Sequence, residues 1–360
     1  MTSPPRFLPA ARATLIGSLP VADYRQALDL ILAHTPEIPL WPQLPLANPR
    51  ERMMSQFVEG LPGVVETEER TWFDLGGDNF SAQQLSFYED YLRVAEDPAA
   101  TLGSRFAVSS ERARGIYELK ERAVRLPGLA AVKGQITGPF TLLTGLADQN
   151  RRAGYYDDNF REMAVKSLAM KAAWQVEFLK ATQAPVLVFI DEPALAGLGS
   201  SAFIGIDQAA IASDLTEVIA AIRRSGGLAG IHVCANTDWE FLLSLAPDIL
   251  SFDAYGFFDR LIADRGRVQA FLAQGGILAW GLVPTAEEQV IRAETCDSLL
   301  DRWERQSEML TGGGWDKAAL VRQTLITPSC GTGSLSLEAA TRVLELTRDL
   351  SAAIRVRHGG

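Results

Sequence analysis

The chain has 360 residues, of which 47% are hydrophobic and 22% charged, and its net charge is −10. That apolar content excludes a disordered chain, and the lack of any run of about 18 apolar residues excludes a spanning helix. Lys and Arg are scattered over an acidic sequence, which excludes nucleic acid or an anionic membrane as the main partner.

The first residues (MTSPPRFLPAARA) lack the apolar core of a secretory signal, so the cytoplasm is the expected location. Short apolar runs then alternate with longer amphipathic stretches. Strands are predicted at 13–18, 38–42, 130–135, 186–191, 228–234, 249–253, 277–282 and 323–329. Most are continuous apolar runs, the pattern of parallel strands buried on both faces. The gap at 43–129 is too long for a simple connection and reads as an insertion over a barrel mouth, with a helical stretch near 82–97. Helical spacing fills other gaps, at 208–224 before Gly226-Gly227 and at 336–354 with Ser334 and Ser336 as caps. Eight such units predict an α/β fold, a (β/α)8 TIM barrel with a long insertion after strand 2, forming one domain over 1–360.

A barrel carries its chemistry at the C-terminal ends of its strands. Polar residues gather at those ends here: Gly17-Ser18, Gln135 to Pro139, Asp191-Glu192-Pro193, His232-Val233-Cys234, Asp253, Gly281 and Cys330-Gly331. His232 and Cys234 are two apart on a strand and so point the same way. With Asp253 and Cys330 they form a His/Cys/Asp/Cys set suited to tetrahedral zinc, at bond lengths of about 2.1 Å to nitrogen and 2.3 Å to sulfur. A buried thiol pair beside a hydrogen-bonded histidine is the alternative for the same residues. Three cysteines are too few for a disulfide framework. The third, Cys296, lies in a helical pattern and reads as a structural thiol. Asp191 and Glu192 are neighbours on a strand, so only one of them faces the mouth.

The motifs LIGSLP, ITGPFTLL, IDEPAL, HVC, DILSFD and PSCG stand in the order, and at the strand ends, of the C-terminal catalytic barrel of cobalamin-independent methionine synthase. The chain resembles that family from about residue 13 to 350. The resemblance implies zinc held by His232, Cys234 and Cys330, with Asp253 where the family has Glu. It implies that Ile16, Gly17, Ser18 and Asp191 hold the amino-acid end of homocysteine, with Glu59 nearest the place of a further homocysteine-binding Glu. No catalytic residue is implied beyond the metal site. Two departures bear on the methyl donor. Gly145 stands where the family has a Trp that stacks on the folate pterin, and Val283 stands near its proton-delivering His. A folate nitrogen leaves only when protonated, whereas Co(I) leaves unaided. The chain also lacks the family's second, N-terminal barrel and so resembles the short core-type enzymes. The expected activity is zinc-dependent methylation of homocysteine to methionine, from a methylcorrinoid or corrinoid protein in preference to methyltetrahydrofolate. The rival expectations are a corrinoid methyltransferase of the uroporphyrinogen decarboxylase superfamily acting on another thiol, such as coenzyme M, and a non-catalytic zinc-binding barrel.

Overall fold

The computed structural model describes residues 7–200, 203–311 and 315–359. In chain order, α1 (Tyr24–His34) starts at Asp23, whose side chain accepts a hydrogen bond from the Gln26 amide and so satisfies an end of the helix. The 43–129 segment holds a short antiparallel hairpin, β1 (Val64–Glu66) with β2 (Thr71–Phe73), followed by α2 (Phe80–Glu96) and α3 (Arg114–Ala123). From there strands and helices alternate: β3 (Val132–Thr137), α4 (Pro139–Gly145), α5 (Asp158–Leu179), β4 (Val186–Asp191), α6 (Gln208–Arg224) and β5 (Leu228–Val233). Next come α7 (Trp239–Ser244), β6 (Ile249–Phe252), α8 (Ala254–Leu261), α9 (Arg265–Ala273) and β7 (Ile277–Val283). The chain closes with α10 (Glu288–Ala293), α11 (Cys296–Leu310), α12 (Lys317–Arg322), β8 (Thr324–Pro328) and α13 (Leu337–His358).

The strands β3 to β8 form one parallel sheet in sequence order. Six of the eight expected strands are therefore present, and the two at 13–18 and 38–42 are not. Those segments make only isolated parallel bridges, Ala13 to Ile326, Ser18 to Gln43 and Leu40 to Lys133. The bridges run from β8 through both segments to β3, giving a curled, barrel-like α/β arrangement. In the second segment Pro39 and Pro42 have no amide hydrogen to donate, and regular strand pairing cannot continue through them.

The strands are buried on both faces, and their side chains alternate between two clusters with the period of two expected of strands. On β4, Val186, Val188 and Ile190 join the large core between sheet and helices. Leu187 and Phe189 join a separate cluster with Ile38, Ile249, Ile277 and Leu325 on the other face. That second cluster fills the inside of the curled sheet below the polar strand ends. Among the described residues, no helix is long and apolar enough to cross a membrane.

Candidate metal and substrate site

Strand register brings the polar residues together. His232 on β5 lies opposite Asp191 on β4 and opposite Ser251 on β6. Its Nδ1 is 2.9 Å from Ser251 Oγ, while its Nε2 is buried with no hydrogen-bond partner. Cys234 follows the end of β5, and Cys330 lies two residues past β8. One ligand atom from each of His232, Cys234 and Cys330 lies within 4.8 Å of the others. The neighbouring Cys330 and His232 hold the Cys234 thiol well below its ordinary range, against the effect of burial. The same contact with Cys234, and burial, push Cys330 up.

These residues fit a zinc ion. Two soft sulfurs and one imidazole are its preferred donors, and an orphaned, buried Nε2 needs a partner. Among the described residues the three form the one group spaced to hold a metal. Asp253 lies outside that group. It sits at the N-cap of α8, where its Oδ1 accepts a hydrogen bond from the Gly256 amide at 2.8 Å. Burial raises its pKa, and the neighbouring Cys234 and His232 act on it electrostatically.

A cavity of about 460 Å³ opens beside this cluster. Ile16, Gly17, Ser18, Asp191, His232, Cys234 and Cys330 all line it. Asp191 is buried, and its Oδ1 has no partner among the described residues. Burial raises its pKa, opposed by His232 and Lys133. Glu192 points the other way, as strand alternation requires. Its carboxylate accepts from the Phe140 amide at 2.9 Å, the Thr141 amide at 2.8 Å and Thr141 Oγ1 at 2.6 Å. Burial pushes it up to about 7.

The turn at 16–18 is stitched to its neighbours. Gly17 accepts from the Gln43 amide at 3.2 Å, and Ser18 O accepts from the Thr332 amide at 3.0 Å. Ser18 Oγ accepts from the Gly333 amide at 3.2 Å. Neighbouring side chains approach two glycines closely. A Cβ on Gly17 would stand 2.4 Å from Gln43 Oε1, and one on Gly331 would stand 2.4 Å from Ser18 Oγ.

Glu59 does not line this cavity. It accepts from the Ser109 amide at 3.1 Å and lies 3.8 Å from Arg112. The acid of the 43–129 segment that reaches the cavity is Glu51, together with Gln43, Arg52 and Met53. Glu51 is buried and accepts from Tyr24 Oη at 2.7 Å and the Leu44 amide at 2.6 Å. None of these four residues was anticipated, because they lie in a stretch with no strand or helix period. Ser251 was also missed, although it stands on β6 two residues before Asp253. Gly145 lines a second cavity of about 660 Å³, against Met54, and Arg52 borders both cavities. Val283 is fully buried on β7. Cys296 opens α11, where burial raises its pKa.

No known family model matches the sequence, and no curated protein matches it. Among solved structures the chain is similar to a B12-independent methionine synthase from Shewanella sp. W3-18-1 in complex with selenomethionine. That likeness has a TM-score of 0.46 and 18% identity, over 66% of this chain and 67% of that one. A vitamin-B12 independent methionine synthase from Listeria monocytogenes, described as putative, overlaps at TM-score 0.43 and 18% identity, over 66% and 69%. The apo form of 3-keto-D-glucoside 4-epimerase from E. coli overlaps at TM-score 0.36 and 9% identity, over 75% and 94%.

Proposed function

We propose that this chain is a zinc-dependent thiol S-methyltransferase that converts homocysteine to methionine, with a methylcorrinoid, free or on a corrinoid protein, as donor. One observation carries the reading: a His/Cys/Cys cluster with an orphaned imidazole nitrogen opens into the same cavity as an unpaired buried carboxylate, Asp191. The motif resemblance supports it. In this reading the three bridges complete an eight-stranded TIM barrel, with 43–129 inserted at its mouth in a single cytoplasmic domain.

His232, Cys234 and Cys330 are the ligands, with Asp253 as a weaker fourth. When bound, zinc supplies the Lewis acidity that keeps an acceptor thiol deprotonated at neutral pH. Asp191 Oδ1 receives the ammonium of the acceptor, and the turn at Ile16, Gly17 and Ser18 offers N–H groups and a hydroxyl to its carboxylate. This fixes the acceptor sulfur for in-line displacement. The sulfur–methyl bond forms as the donor–methyl bond breaks, and the bonding electron pair stays with the donor. No titratable group stands at Val283 to protonate a folate nitrogen, which favours a leaving group that departs without a proton.

The test is a methyl-transfer assay with the purified, zinc-loaded protein and homocysteine, using methylcobalamin and methyltetrahydrofolate in parallel. Methionine formed from methylcobalamin, and lost in Cys330→Ser, supports the reading. No methionine from either donor overturns it. Turnover with coenzyme M in place of homocysteine would establish the other-thiol reading, and zinc uptake without turnover on any thiol a binding role.

A further inference from the structure

The proposed chemistry leaves a buried cation on β3 without a task. Lys133 lies on β3 and is fully buried. Its Nζ donates to the carbonyl of Ile16 at 2.5 Å and to Gln135 Oε1 at 3.3 Å, and it stands 4.4 Å from the centroid of the Phe189 ring. Burying an ammonium is costly, so a position needed only for packing is better filled by an aliphatic side chain. The contacts show what the charge reaches. Ile16 opens the turn that lines the cavity, and it belongs to a segment that pairs with its neighbours through isolated bridges and single hydrogen bonds, without a continuous ladder.

The second irregular segment is tied to the same strand. The Lys133 amide donates to Pro39 O at 2.9 Å, and Lys133 O accepts from the Trp41 amide at 3.4 Å. Gln135 Nε2 donates to Trp41 O at 2.9 Å. Lys133 thus joins both irregular segments to β3 at the level just below the cavity. Its ammonium supplies the fixing contact that a strand ladder would otherwise provide. It also faces Asp191 electrostatically from below.

We propose that Lys133 is a positioning residue for the amino-acid end of the acceptor. By holding the Ile16 carbonyl inward, it sets the direction in which the following amides and Ser18 Oγ meet the carboxylate. This rests on the homocysteine reading above, and the experiment separates the two. Lys133→Met and Lys133→Gln are each zinc-loaded and assayed with homocysteine and with 2-mercaptoethanol, which lacks the amino-acid end. Binding of homocysteine is also measured directly by calorimetry.

The expected result is a KM for homocysteine raised about tenfold or more, the scale of a lost hydrogen bond from a charged donor. The kcat should change less than about threefold, because the lost interaction is made equally in the ground and transition states. Zinc content and the KM for 2-mercaptoethanol should stay at wild-type values. Equal homocysteine affinity in wild type and variants would overturn the assignment alone. So would equal losses with both thiols, or failure of both variants to fold, which would make Lys133 a residue of the fold. A wild-type protein that neither binds nor methylates homocysteine would remove the functional reading and this assignment together.

Discussion

Ser251 Oγ and His232 Nδ1 are 2.9 Å apart in the interior of the sheet, and this contact decides which imidazole nitrogen faces the cysteines. The two residues are register partners on β5 and β6, so the contact follows directly from strand pairing. With Nδ1 donating to the hydroxyl, the Nε2 lone pair is the one available to a metal. Ser251→Ala should weaken zinc binding by about 10- to 100-fold, and Ser251→Thr should restore it. Competition with a chromophoric chelator measures this. Unchanged affinity in the alanine variant would show that the serine only fills space.

The two cysteines are expected to dominate zinc retention, since sulfur is the preferred donor in such sites. Wild-type protein should carry about one zinc per chain, the number one three-residue cluster can hold. Cys234→Ser and Cys330→Ser should each lose most of it. Elemental analysis showing full zinc in both variants would place the metal elsewhere.

Asp253 serves a helix end, and that role can be separated from metal binding. Asp253→Ala removes the cap of α8 and should cost about 1 kcal/mol of stability. Asp253→Asn keeps a capping oxygen and should leave stability close to wild type. Both variants should bind zinc more weakly if the carboxylate is the fourth ligand. Wild-type zinc affinity in Asp253→Asn, read by the same chelator competition, would leave Asp253 with the cap alone.

Lys171 on α5 is fully buried, and its Nζ has no hydrogen-bond partner among the described residues. Burial pushes its pKa from 10.5 down to about 8. Between those values the native state binds fewer protons than the unfolded chain. The stability contributed by this residue is therefore lowest below about 8 and rises with pH up to 10.5. Lys171→Met should stabilise the protein at neutral pH by about 1–3 kcal/mol, the cost of an unsatisfied buried donor. The advantage should shrink as the pH approaches 10.5. Urea unfolding of the two proteins at pH values on either side of that window checks both sign and trend. A destabilised methionine variant at neutral pH would mean that the ammonium has a partner.

Donor choice should follow the side chains at Gly145 and Val283. General-acid help is worth about 10²- to 10⁴-fold, and only the folate donor needs it. With homocysteine as acceptor, methylcobalamin should outperform methyltetrahydrofolate by at least about 100-fold. Comparable turnover from the folate would show that another group delivers the proton.

What the sequence determined by itself is what local pattern encodes. The helix predicted at 208–224 is α6, with the same bounds, because its apolar spacing and the Gly226-Gly227 stop lie within one stretch. Ser336 caps α13, as its place before the apolar run implies. Most of the six strands from β3 onward are continuous apolar runs, and strand alternation alone sends Asp191 and Glu192 to opposite sides. The tertiary structure decided the rest. The runs at 13–18 and 38–42 looked equally strand-like, yet each makes only isolated bridges, and in the second Pro39 and Pro42 lack the amide hydrogens a ladder needs. Whether Glu51 or Glu59 reaches the cavity depends on the path of a segment without period, so no spacing rule could choose. Lys133 was visible as a charge inside an apolar run, but its partner, the Ile16 carbonyl, lies 117 residues away in sequence. Only the curling of the sheet brings such a pair together, because a buried ammonium is tolerated only where the surrounding backbone supplies its hydrogen bonds.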